Sequence, residues 1–139
     1  MAALTLEIIT PSKIQFKGEI QSVTIPGTEG SFQVLKNHAP LMSTFEIGEV
    51  KVALPDGKET IYATGGGTVE VLDNHVLVLA DSLEEISNID VERARSAKER
   101  AEGRLTHKTD TTDVERAENA LKRSINRLRL VEKYIRAEV

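Results

Sequence analysis

Apolar residues alternate with polar ones through the first eighty or so positions and recur every third or fourth position through the last fifty. Leu4, Leu6 and Ile8 share one face of an extended segment, with Thr5 and Glu7 on the other. Phe16-Lys17-Gly18 leads into residues 20–25, which stop at Pro26-Gly27; residues 31–35 then set Phe32 and Val34 together. Asn37-His38-Ala39-Pro40 breaks the run before residues 41–47. Val50, Val52 and Leu54 alternate with Glu49 and Lys51, and Pro55-Asp56-Gly57-Lys58 is a tight-turn sequence leading to residues 59–64. Gly65-Gly66-Gly67 interrupts the pattern, Val69 and Val71 follow, and Asp73-Asn74 turns the chain into residues 76–80. About eight short strands with frequent turns predict a β-sandwich or flattened barrel. No helical period separates them, which sets aside an α/β fold.

The rest reads as helix. Asp90 is placed to cap a helix running to about Leu105, with an apolar stripe of Ala94, Ala97, Ala101 and Leu105. Residues 106–112 are polar, and Thr112 with Glu115 matches a capping box that opens a second helix. There Val114, Ala117, Leu121, Ser124, Leu128, Val131 and Ile135 form a coiled-coil-like seam. A connection this short makes the helices antiparallel neighbours. The fold class is therefore α+β: a β-sandwich over residues 1–87, then a two-helix hairpin over 88–139. An alanine stripe removes little apolar area from water, at roughly 25 cal/mol per Å². Gly103 weakens the first helix by about 1 kcal/mol relative to alanine. The hairpin is expected to close only marginally, as a two-state element would.

Composition sharpens the division. Before the stretch Ile89-Asp90-Val91-Glu92-Arg93-Ala94 lie all four prolines and eight of nine glycines; all nine arginines lie within or beyond it. Residues 1–87 carry 5 lysines against 12 acids, and residues 88–139 carry 13 basic groups against 10 acids. With 4% aromatic residues the core must be aliphatic, and the absence of cysteine excludes disulfides and thiolate metal sites. A net charge of −4 argues against a nucleic-acid binder. No stretch approaches the roughly 18 apolar residues of a membrane span, so direct membrane insertion is not expected.

Arginine is the strongest chemical signal. Most helix charges have an opposite partner one turn away: Arg95 with Glu99, Lys98 with Glu102, Glu118 with Lys122, Glu132 with Arg136. Arg100, Arg123 and Arg127 have no acid at those spacings. Arg123 and Arg127 share a face, and an antiparallel partner could bring Arg93 and Arg100 near them. Guanidinium forks suit phosphate; a solvated basic face, or a surface for an acidic partner, is the alternative. The triple glycine lacks the Lys-Ser/Thr and helix of a phosphate loop. His38, His75 and His107 are dispersed, so no metal is expected, and no Ser/His/Asp grouping suggests nucleophilic catalysis. Asp81 and Glu84-Glu85 read as an acidic patch in a linker.

Over nearly its whole length the chain resembles the epsilon subunits of F-type ATP synthases of bacteria and plastids. The resemblance rests on Gly27-Thr28-Glu29-Gly30-Ser31-Phe32-Gln33-Val34-Leu35 followed by Asn37-His38-Ala39-Pro40-Leu41, on the triple glycine before Val69-Glu70-Val71, and on Ala80-Asp81. It rests also on an intact Ile-Asp-x-x-Arg-Ala pattern at Ile89, Asp90, Arg93 and Ala94. It implies a sandwich of about ten strands and a helical hairpin in a non-catalytic subunit. That subunit would bind gamma, rest on the c-ring, and couple their rotation for ATP synthesis driven by a proton gradient. Glu29, Gly30, Ser31 and His38 would face the ring or gamma, and the hairpin, when extended toward the alpha and beta subunits, would block ATP hydrolysis. The resemblance implies no required cofactor, but ATP as a regulatory ligand of the folded hairpin. Carried over by position, its site is Leu79, Glu84, Asp90, Arg93, Arg100, Arg123 and Arg127, with Ile89 and Ala94 against the adenine. The place implied is peripheral, at the cytoplasmic face of the cell membrane.

Overall fold

A computed structural model describes residues 2–135. The chain divides into two compact units, one ending at Glu85 and one beginning at Ile86.

The first unit holds eight strands: β1 (Thr5–Ile9), β2 (Ile14–Glu19), β3 (Ser22–Gly27), β4 (Gly30–Val34), β5 (Leu41–Ala53), β6 (Glu59–Leu72), β7 (His75–Ala80) and β8 (Leu83–Glu85). Hydrogen bonding runs in the order β2-β1-β7-β6-β5-β3-β4, with β8 also on β6. All pairs are antiparallel except β1 with β7. The alternation foreseen for the first strand holds: Leu6 and Ile8 are fully enclosed. With Val23, Ile25, Val34, Val50, Val52, Val76 and Val78 they form one aliphatic core. Each such side chain contributes about 1.5–3 kcal/mol by leaving water. Phe16 of β2 and Phe32 of β4 pack on that same core, although their strands stand at opposite ends of the order. The sheet folds over itself as a sandwich.

The strands differ from expectation in how they are cut. Residues 41–47 and 50–53 fall in the single strand β5, which ends one residue before Leu54, and residues 59–64 and 69–71 in the single strand β6. The triple glycine is a corner inside β6 rather than an interruption. On one side of it β6 pairs with β7 from Gly67 to Leu72; on the other it pairs with β8 from Tyr62 to Thr64. Gly66 adopts φ 99°, and the β5–β6 ladder lapses between Phe45↔Gly67 and Ile47↔Gly65. A β-carbon on Gly67 would stand 2.0 Å from the Leu79 carbonyl oxygen. Glycine is needed here so that two backbones can approach where the sheet turns.

Strand β8 lies in what the sequence suggested was linker: Leu83 is buried, and Glu84 and Glu85 face Ala63 and Tyr62 across the ladder. Three residues are too few to show a period. Burial, then the Glu85 carboxylate, holds the Tyr62 phenol above its ordinary pKa.

Asp73 and Asn74 (φ 49° and 61°) form the two-residue turn between Leu72 and its partner His75, the left-handed pair that suits the twist of a hairpin. The second unit comprises a 3-10 turn, Ile86–Asn88, and two helices, α1 (Val91–Thr106) and α2 (Val114–Tyr134), packed on each other.

Gly67→Ala should destabilise the sandwich by at least about 2 kcal/mol, since the obstruction is backbone and cannot rotate away. Gly57→Ala meets open space at φ 90° and should cost about 1 kcal/mol. Urea unfolding of the two variants checks the order.

Candidate functional site

The hairpin begins at Asp90, as expected: its Oδ1 accepts from the Arg93 amide at 3.2 Å. The cap of α2 is Asp113, not Thr112. The Asp113 carboxylate accepts from the Arg116 amide at 2.9 Å, while the Thr112 hydroxyl accepts from the Thr109 amide inside the loop. Asp and Thr both suit the cap position, but the first helical bond of α2 runs from the Ala117 amide to the Asp113 carbonyl, which makes Asp113 the cap. Glu115 thus falls in the first turn, favourably placed for the helix dipole.

The seam is as thin as the sequence suggested. Its enclosed members are Ala94 and Ala101 on α1, and Ala117, Ser124 and Val131 on α2; Leu121 and Leu128 are half-buried and Ile135 is exposed. The Ser124 hydroxyl is buried without a hydrogen-bond partner. A second buried pair, Asn126 and Leu130, was not foreseen, because it lies off the three-four repeat. Arg129 donates to the Asn126 side-chain oxygen at 2.9 Å, which satisfies that buried carbonyl.

The arginines share a simple register. Arg93, Arg100, Arg123 and Arg127 each stand one position before a seam residue: Ala94, Ala101, Ser124 and Leu128. One position is about 100° of rotation, in the same sense on both helices. For antiparallel neighbours, equal offsets of the same sense fall on one side of the pair. All four arginines therefore line one edge of the hairpin, with Arg93 and Arg100 exposed and Arg123 and Arg127 half-buried. Arg127 is not idle in the structure, since it engages in a polar or electrostatic contact. Arg95 pairs with Glu92 at 2.9 Å rather than with Glu99; Arg136 lies outside the described residues. Arg123 also borders an open cleft of about 310 Å³ with Arg116 and Asn119, where Asp113 and Glu115 offset the positive charge.

Ile89 is half-buried just before the cap, and Ala94 spends its surface on the seam at 3% exposure. Leu79 and Glu84 belong to the β unit: Leu79 points out of the core at 47% exposure, and Glu84 is half-buried on β8 and engaged. Glu29, Gly30 and Ser31 are exposed at the β3–β4 turn, where Thr28 bonds to Thr44 through both backbone and hydroxyl. His38 sits in a separate loop, its Nδ1 donating to the Ala39 carbonyl at 2.7 Å. Among the described residues no three acids or histidines gather into a metal site.

Residues 3–86 match the family described as ATP synthase, Delta/Epsilon chain, beta-sandwich domain, and residues 87–132 match its long alpha-helix domain. The chain belongs to the ATP synthase epsilon-chain family. It is 44% identical to the ATP synthase epsilon chain of Desulforamulus reducens over 91% of this chain and 96% of that one. It is 44% identical to that of Syntrophomonas wolfei, over 92% and 93% respectively. A chain of the Euglena gracilis mitochondrial ATP synthase has the same fold, with a TM-score of 0.82 at 21% identity over 94% of this chain and 82% of that chain.

Two features of this epsilon-chain hairpin oppose its packing: the unpartnered Ser124 hydroxyl and Gly103, which has open space around it. Ser124→Ala should stabilise the helix pair by about 1 kcal/mol, and Gly103→Ala by a further 0.5–1 kcal/mol or about that. Slower amide hydrogen exchange in α1 is the expected readout; unchanged exchange in both would mean the seam is not limiting.

Proposed function

We propose that the chain is a non-catalytic subunit of the central stalk of a rotary ATP synthase. It couples the c-ring to gamma during ATP synthesis driven by a proton gradient. Its hairpin restrains ATP hydrolysis when extended toward alpha and beta, and ATP holds the hairpin folded. The observation that carries the coupling role is the match of both family domains, in order, across residues 3–132. The related assemblies are described as containing F1, a central stalk and a c-ring. The place that follows is peripheral, on the cytoplasmic face of the membrane; no described helix is long and apolar enough to cross one.

The sensor role rests on the arginine edge. Four guanidinium groups stand along one side of a thin seam. A polyphosphate supplies the opposite charge, and each charge-assisted hydrogen bond contributes about 1.5–3 kcal/mol. A ligand that binds only the folded hairpin stabilises it by mass action, in proportion to how far its concentration exceeds Kd. ATP thus opposes the inhibitory form. Asp90, Ile89 and Ala94 at the α1 start complete the site on the hairpin in this reading.

Calorimetric titration of the full chain with ATP should give binding that weakens about tenfold or more in Arg123→Ala and in Arg127→Ala. Variants that bind as tightly as the parent would remove the site assignment. For the docking role, cysteines at Glu29 or Ser31 should crosslink to the ring subunit in the assembled complex. Capture of only alpha or beta would reject that face, and failure to co-purify with gamma would reject the stalk role altogether.

A further inference from the structure

Three non-glycine residues of the β unit hold left-handed backbone, Asn37 (φ 66°), Asp73 (φ 49°) and Asn74 (φ 61°), and two of them are bonded to each other. The Asn37 amide donates to Asn74 Oδ1 at 2.6 Å, and Asn74 Nδ2 donates to Asn37 Oδ1 at 3.2 Å. The Asn74 carbonyl meanwhile accepts from the Thr5 amide at 2.9 Å. Glycine would hold this turn position at lower conformational cost. The carboxamide is therefore what asparagine adds, and it is spent on a loop thirty-seven residues away in sequence.

That loop is otherwise lightly held. Between β4 and β5 the His38 amide donates to the Leu35 carbonyl at 3.2 Å and the His38 ring donates to the Ala39 carbonyl. Large exposed apolar side chains flank the clasp: Leu35 at 52% before the loop, Met42 at 76% after it, and Leu72 at 49% two residues before Asn74. Met42 lies opposite Glu70, so Met42 and Leu72 are diagonal neighbours on one outward face of the sheet. Exposed apolar groups gathered at one place mark contact surfaces. A surface loop that is ordered before contact loses less entropy on binding.

We infer that Asn74 is a positioning residue, whose carboxamide presets the His38 loop and the apolar side chains beside it for docking on the c-ring. The inference rests on the docking role proposed above. Asn74→Gly keeps a residue suited to the turn and removes only the clasp; Asn74→Asp retains an acceptor for the Asn37 amide. In the full chain, exchange of the Asn37 amide should accelerate about tenfold in Asn74→Gly and less in Asn74→Asp. Rebinding to complex stripped of this chain should weaken about five- to tenfold in Asn74→Gly. Unchanged exchange, or faster exchange with unchanged rebinding, overturns the role of Asn74. Met42→Asp, on a side chain free of the core, serves as the separate arm. If it rebinds normally, the docking reading itself fails; if it weakens rebinding while Asn74→Gly does not, only the positioning role fails.

Discussion

Enclosed branched aliphatic side chains are many in one unit and few in the other, and the functional reading depends on that contrast. In the sandwich, Leu6, Ile8, Ile25 and a run of valines are wholly enclosed. Loss of any of them would leave a cavity costing several kcal/mol, so the platform has one packing arrangement. In the hairpin helices the enclosed residues are three alanines, Ser124, Asn126, Leu130 and Val131. An alanine seam offers little to outweigh electrostatic repulsion or an unsatisfied hydroxyl. A rigid body joined to a weakly closed one is the arrangement in which a ligand of modest affinity decides a conformation.

The glycine corner serves the rigid half. A sheet of eight strands in continuous hydrogen bonding must turn somewhere to enclose its own face. Here β6 does so at Gly65–Gly67, exchanging β7 for β8 as its neighbour. Gly48 of β5 lies opposite Thr64 and leaves room for the Pro26 ring, which a β-carbon would meet at 2.8 Å. The fold line is therefore built from residues chosen for the absence of a side chain, on both long strands.

Much of this was legible in the chain because its signals are local. Alternation located the enclosed Leu6 and Ile8 of β1 and Val50 and Val52 of β5, Asp73-Asn74 announced its turn, and Asp90 announced the first cap. What was not legible depends on tertiary partners. Gly-rich sequence reads as a break until the second strand beside it is known. Leu83–Glu85 gains its strand identity from Tyr62, Ala63 and Thr64 rather than from its own three residues. Leu130 and Asn126 break the three-four repeat because a helix buried on two faces no longer shows a single stripe. Thr112 and Asp113 are adjacent and both fit a cap, so composition alone leaves the start of α2 uncertain by one residue.

Asp90 shows why the helix start and the anion reading belong together. Its carboxylate would repel a polyphosphate placed beside it, yet the resemblance sets it among the arginines. The conflict is resolved by what the side chain already does. One oxygen is committed to the Arg93 amide, which fixes the first turn of α1 and with it the direction from which the Arg93 side chain departs. The remaining acceptor capacity suits a hydroxyl or an amino donor rather than phosphate. In the proposed site the acid therefore marks the sugar or base end of the ligand, while Arg100, Arg123 and Arg127 mark the phosphate end. A nucleotide would then be oriented along the hairpin edge by charge alone, with its uncharged end at the residue that caps the helix.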